Sequence, residues 1–177
     1  MSQLKVNSIV PSGGLSSWAD AGGIIQVKQT TWTSLWSTSG FSMADITNAS
    51  LSITPTSSSS KILIYYGVWT CSNYWKTYIN LVRGSTNLHQ GAAAGSRPLH
   101  TSSLVDDSSF MNTHGPLQLH TIWYLDSPST TSATTYKLQG SGRAGYYMRV
   151  NYTVPDRNTT EYDSRAASSL MAFEVSG

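Results

Sequence analysis

Chemistry needs particular groups at particular spacings, and this 177-residue chain offers few of them. The four histidines, His89, His100, His114 and His120, are spread without the short spacings of a zinc site. The lone cysteine, Cys71, completes no Cys/His set; inside an apolar run it reads as a buried thiol that forms no intrachain disulfide. A metal held on a symmetry axis by one histidine per subunit would use His120, but a hydrogen-bonded strand histidine is the plainer reading. Asp106 and Asp107 are adjacent, so on a strand they point apart and on a loop they are solvated, a poor general acid/base pair. Asp156, Glu161 and Asp163 share one polar loop and could gather around calcium, yet they lack a regular oxygen-ligand spacing and are read as a solvated turn. No Gly-x-Ser-x-Gly elbow and no phosphate loop is present. The chain is therefore expected to be no enzyme, with no catalytic residues, no metal and no cofactor.

Aromatic residues are the remaining chemical signal, with six tryptophans and ten tyrosines. Tyr74 and Trp75 follow a strand end, Tyr146 and Tyr147 follow a glycine-rich turn, and Tyr162 lies in a polar loop. Exposed rings in polar loops stack on sugars, which makes these five candidates for contact with a host-surface glycan. The competing reading buries the same rings against neighbouring subunits.

The elements that would hold these residues are strands. Only 11% of the residues are charged, against roughly 25% in an ordinary soluble domain, while Ser and Thr supply about fifty positions. Hydroxyls give solubility without charge, and Thr suits a pleated surface. Basic residues are scattered singly and the net charge is only +2, so neither nucleic acid nor an anionic membrane is an expected partner. No apolar run is long enough to cross a membrane and the first ten residues lack a secretory apolar core, so membrane insertion and export by that route are not expected.

Residues 117–140 show the organising pattern. Leu117, Leu119, Trp123 and Leu125 alternate with Gln118, His120, Tyr124 and Asp126, and the return limb alternates Thr134, Tyr136 and Leu138 with Thr135, Lys137 and Gln139. A small-residue loop with Pro128 joins the limbs, and the whole reads as a β-hairpin of half-buried strands. Residues 52–71 read as a second hairpin-like unit across the serine turn at Ser57 to Ser60. On the strand from Ile62 to Cys71 both faces are apolar, because Ile62, Ile64, Tyr66 and Val68 share one and Leu63, Tyr65, Trp69 and Cys71 the other. One face fills a sandwich core, so the other needs a cover; Leu63, Tyr65 and Trp69 are assigned to a subunit interface. Another strand closes at Gly84-Ser85, and the last strand, residues 169–175, is expected in the middle of a sheet. The tally is eight to eleven short strands, no helix and no fixed-period repeat.

Before the body, Leu4, Val6 and Ile9 form a short apolar stripe that ends at Pro11-Ser-Gly-Gly, and a glycine-rich run leads to Gly23. Residues 1–22 read as an extended arm and flexible joint, and 23–177 as one β-head. An apolar arm without a neighbour in sequence needs a docking surface.

Three stretches, Met1 to Gly14, Ser52 to Ile64 and Tyr124 to Lys137, together with the terminal Ser-Leu-Met-Ala-Phe-Glu-Val, resemble a family of small structural proteins of tailed phages, especially those of marine and cyanobacterial hosts. The resemblance spans nearly the whole chain, while Trp32, Trp36, Trp69 and Trp75 depart from the family's pattern. It implies an all-β jelly-roll head, a trimer similar in build to the C1q and tumour-necrosis-factor domains, and a place in the virion, assembled in the host cytoplasm. Two positions fit: a fibre or spike whose arm (Leu4, Val6, Ile9) grips other virion proteins and whose head meets the host, or a capsid decoration protein that stabilises the shell. A glycan hydrolase or esterase, from a different class, lacks a nucleophile motif and a carboxylate pair.

Overall fold

The structure is a computed structural model and describes residues 22–106, 116–154, 156–161 and 163–177. The arm residues Leu4, Val6 and Ile9, together with His114 and Tyr162, lie outside the described residues.

Eleven strands form among the described residues: β1 (Ile24–Trp32), β2 (Trp36–Ser39), β3 (Ala44–Ile53), β4 (Lys61–Ser72), β5 (Trp75–Arg83), β6 (Thr86–Leu88), β7 (Ser102–Asp106), β8 (Gln118–Asp126), β9 (Thr134–Ser141), β10 (Tyr147–Val150) and β11 (Ser168–Val175). No helix is present among these residues. One sheet runs β1-β11-β4-β10-β2, with β8 on the other side of β4; the second runs β3-β9-β5-β6, with β7 also on β5. All pairs are antiparallel. The longer strands set β1, β11, β4 and β8 over β3, β9, β5 and β7, two four-stranded layers with strands that alternate between them, which is a jelly-roll β-sandwich. The all-β expectation holds.

Branched and aromatic residues make β4 the spine of the first sheet. Ile62, Ile64, Tyr66 and Val68 point inward with Leu170 and Ala172 of β11 and Met148 and Val150 of β10. They meet Ile79 and Leu81 of β5, Tyr136 and Leu138 of β9, and the inward face of β3. Full burial of each large side chain contributes about 2 kcal/mol before entropic costs. A bulge at Asn48, whose φ is 66°, switches the parity of β3, so Ile46 and then Ala49, Leu51 and Ile53 all face the core. As expected, β11 lies between β1 and β4, and Gly84-Ser85 closes a true hairpin between β5 and β6.

Residues 117–140 are not a hairpin. β8 pairs with β4 in the first sheet, whereas β9 pairs with β3 and β5 in the second. Residues 127–133 carry the chain across the sandwich, about 10 Å between sheet centres. The serine turn between β3 and β4 does the same. Alternation along two strands is identical whether they pair with each other or face each other, so the pattern alone could not separate these arrangements.

The structure also settles which half of β8 is buried. His120 and Asp126 point into the sandwich, while Leu119, Trp123 and Leu125 point out. The inward polar groups find partners on strands remote in sequence, which removes the usual cost of burying them.

Candidate functional site: an apolar outer face and an aromatic end

Because side chains alternate across a strand, the inversion of β8 places its apolar residues beside the outward residues of β4. The register sets Leu125 beside Leu63, Trp123 beside Tyr65, and Leu119 beside Trp69. The rows continue through Phe173 and Met171 of β11, and Val27 of β1 flanks Phe173. Trp123 is 58% exposed, Val27 48% and Leu125 47%, whereas Leu63, Tyr65, Trp69, Met171 and Phe173 are half-buried by their neighbours. Rings knit the rows together: Tyr65 lies 4.5 Å from Trp123, and Trp123 lies 6.3 Å from Phe173, centroid to centroid. At Gly67 an added Cβ would come within 3.2 Å of the Tyr65 hydroxyl, so the missing side chain makes room for that ring to lie flat. The face measures roughly 15 by 20 Å, within the size range at which apolar patches mark association surfaces. It includes all three residues assigned from sequence, Leu63, Tyr65 and Trp69; Trp123 and Leu125 were missed there because the alternation along β8 does not say which of its sides faces out.

Beneath this face lie the polar groups. His120 is 1% exposed, with Nε2 2.9 Å from Thr77 Oγ1 and Nδ1 2.9 Å from Ser102 Oγ, which itself lies 2.9 Å from the Tyr66 hydroxyl. Burial pushes the His120 pKa down to about 3, so the ring is neutral. Serine beside histidine is a nucleophile–base pairing in outline, but a sealed ring whose two nitrogens already face hydroxyls pins β8 to β5 and β7 and offers nothing for a substrate to meet. Asp126 accepts two hydrogen bonds from Arg83 Nη1, at 2.8 and 2.7 Å, and one from the Tyr136 hydroxyl at 2.6 Å. Glu174 of β11 is fully buried. Burial would raise its pKa, but hydrogen bonds from Gln26 and from the hydroxyl and backbone N–H of Thr56 prevail and bring it down to about 2. His89 and His100 are spent on ring contacts, with Tyr124 and Tyr78 respectively.

The acidic loop does not converge on a cation. Asp163 accepts hydrogen bonds from Thr153 Oγ1, Thr159 Oγ1 and both the backbone N and Nε of Arg157, while Asp156 pairs with Arg165 at 2.7 Å. Among the described residues no three His, Cys, Asp or Glu side chains come together as metal ligands.

At one end of the sandwich the chain assembles an aromatic cluster from two turns far apart in sequence. Tyr74 stacks on Tyr146 at 4.6 Å and meets Trp75 edge-on at 5.4 Å. Arg143 places its guanidinium carbon 4.9 Å from the Trp75 ring centre and 5.7 Å from that of Tyr146. Three of the five aromatic candidates therefore meet; Tyr147 instead stands on the outer side of β10, with Arg149 at 5.9 Å from its ring. The arginine was missed in sequence, although the turn Gly142-Arg143-Ala144-Gly145 directly before Tyr146 was the available signal.

No family model and no curated protein sequence matches the chain. Among solved structures, the infectious bursal disease virus VP2 subviral particle, a crystal structure, is similar over 86% of this chain, with 13% sequence identity and a TM-score of 0.33. The chain spans 42% of the length of that protein chain. So slight a likeness decides nothing about function. What the chain can do has to come from its own two surfaces.

Proposed function

We propose that the protein is a non-enzymatic structural component of a phage virion, a homotrimeric fibre- or spike-like appendage anchored by its N-terminal arm. The observation that carries the self-association is the outer face of β1, β11, β4 and β8. Large apolar side chains face solvent there while a histidine, an aspartate and a glutamate of the same sheet face the core. A lone sandwich gains nothing from that arrangement, whereas copies that cover one another's faces gain about 2 kcal/mol for each large side chain sealed from water, before the cost of association. Like interfaces repeated around an axis close into a ring. Three copies is the number that the phage-protein resemblance implies.

Polarity along the sandwich supports the appendage reading. β1 begins beside the end of β11, where Ile24 is the register partner of Val175 and Gly23 accepts a backbone hydrogen bond from Ser176. Gly23 and the start of β1 therefore lie at the end where β4 starts. The aromatic cluster lies where β4 stops, roughly 36 Å away along a 12-residue strand. An arm held in a particle would leave that cluster outermost.

Sedimentation of the purified chain tests the assembly: a species three times the chain mass is expected at micromolar concentration, and a monomer would sink the interface. Deletion of residues 2–12 should abolish incorporation into particles and leave a folded head. Labelled-antibody microscopy of particles separates a tail fibre from a capsid decoration protein.

A further inference from the structure

We infer that the aromatic end of the sandwich is a binding site for an acidic saccharide, with Trp75 as the stacking platform and Arg143 as the carboxylate clamp. This rests on the reading of the head as the part that meets the host, and it adds the chemical class of what is met.

Trp75 is the residue that points to a ligand. Its φ is 71°, left-handed backbone that costs a residue with a Cβ on the order of 1 kcal/mol and that Gly or Asn would occupy with less strain. Its ring is 41% exposed, so burial does not repay the strain. A large indole held in an unfavourable conformation and shown to solvent makes sense when its face is used.

The two turns beneath it are fixed before any ligand arrives. Ser72 Oγ accepts from the Tyr74 N–H at 3.1 Å and donates to the Tyr74 carbonyl at 2.9 Å. Asn73 Oδ1 accepts from the Tyr147 N–H at 2.7 Å, which ties the first turn to the second. Within the second, the Tyr146 N–H donates to the Arg143 carbonyl at 2.9 Å, and a Cβ at Gly142 would meet the Tyr146 carbonyl oxygen at 2.9 Å, so the turn requires glycine there. The backbone that carries the rings and Arg143 is thus set, with little entropy of its own left to lose.

The arrangement fits a pyranose that carries a carboxylate. The C–H face of a sugar ring packs on an indole, and the hydroxyl edge is met by the polar turn. Beside the rings, Arg143 offers a planar fork of N–H donors matched to a carboxylate. Its side chain is exposed and, among the described residues, no carboxylate is paired with it. Lys76, which follows Trp75 in β5, adds positive charge at the same end. A neutral sugar would use the indole and leave the guanidinium idle.

The test is a printed array of uronate- and sialate-bearing oligosaccharides, each beside its neutral counterpart, probed with the full chain, followed by titration of the strongest acidic member by tryptophan fluorescence. Acidic members should bind at least tenfold tighter than their neutral counterparts. Trp75→Asn, which keeps a residue tolerant of the left-handed conformation, should weaken binding at least tenfold. Arg143→Gln should abolish the preference for acid, and Arg143→Lys should restore part of it. An array without signal from a cooperatively folded protein, equal binding of acidic and neutral sugars, or affinity unchanged in both Trp75→Asn and Arg143→Gln each overturns the inference. Sedimentation of the same preparation keeps the two readings apart: a trimer without signal overturns the saccharide site alone, and a monomer that binds overturns the assembly alone.

Discussion

The two sheets of the sandwich are built by the same alternation and present opposite surfaces. Outward from β3 and β9 of the second sheet come Asp45, Ser50, Ser52, Thr135, Lys137 and Gln139, and most of them pair: Lys137 and Gln139 donate to Asp45 at 2.8 and 2.7 Å, and the Ser52 and Thr135 hydroxyls lie 2.6 Å apart. Outward from the first sheet come Trp123, Leu125, Leu63, Tyr65, Phe173 and Val27. The polar groups that such a surface would normally carry have been moved inside, onto Thr77, Ser102, Arg83, Tyr136 and Thr56. Alternation states which residues share a side; it does not state which side is wet. The two outer surfaces differ in where their polar residues find partners, across the surface on one and inside the sandwich on the other.

The largest test of this contrast is to spoil the apolar face. Trp123→Asp should convert the assembly to monomer at micromolar concentration, at least a hundredfold loss of association in sedimentation, whereas Ser52→Asp on the second sheet should leave it intact. Equal effects would erase the distinction between the sheets. Next is the polar interior: Asp126→Ala removes the ion-pair partner of Arg83 and the acceptor of the Tyr136 hydroxyl and should cost about 3 kcal/mol in urea denaturation.

Acid sharpens the comparison further. The folded pKa of His120, about 3, lies below the ordinary 6.5, so its contribution is complete above pH 6.5 and is lost as pH falls toward 3. Glu174, held near 2 against an ordinary 4.5, adds a loss that begins below about pH 4.5. Unfolding midpoints should therefore fall in two overlapping steps, and His120→Gln should flatten the first, between pH 6.5 and 4.5. The smallest expected effect is on the wet sheet, where Asp45→Ala removes an exposed ion pair and should shift stability by no more than about 0.5 kcal/mol.

Strands, turns and the doubly apolar β4 were legible in the sequence, because each is a local pattern. Leu63, Tyr65 and Trp69 could be grouped on one side, apart from Ile62, Ile64, Tyr66 and Val68, on that ground. Sheet membership was not legible: residues 127–133 are equally good as a hairpin loop and as a bridge between layers. Nor was the facing of β8, since His120 and Asp126 look like surface residues until Thr77, Ser102, Arg83 and Tyr136 are brought to them by the fold. The aromatic end was half legible. Tyr74, Trp75 and Tyr146 stood out as rings in polar turns, but their meeting depends on contacts across some seventy residues of chain that no local pattern encodes.

The position of β11 between β1 and β4 has a consequence in time. β11 follows every other strand in sequence, yet the first sheet is two unconnected pieces until it inserts. Its Phe173 and Met171 supply the middle rows of the apolar face. Folding must close long loops before this strand is rewarded with partners, a slow step for an all-β topology. The apolar face is thus complete only after the last strand has seated, so in the proposed assembly folding would precede association.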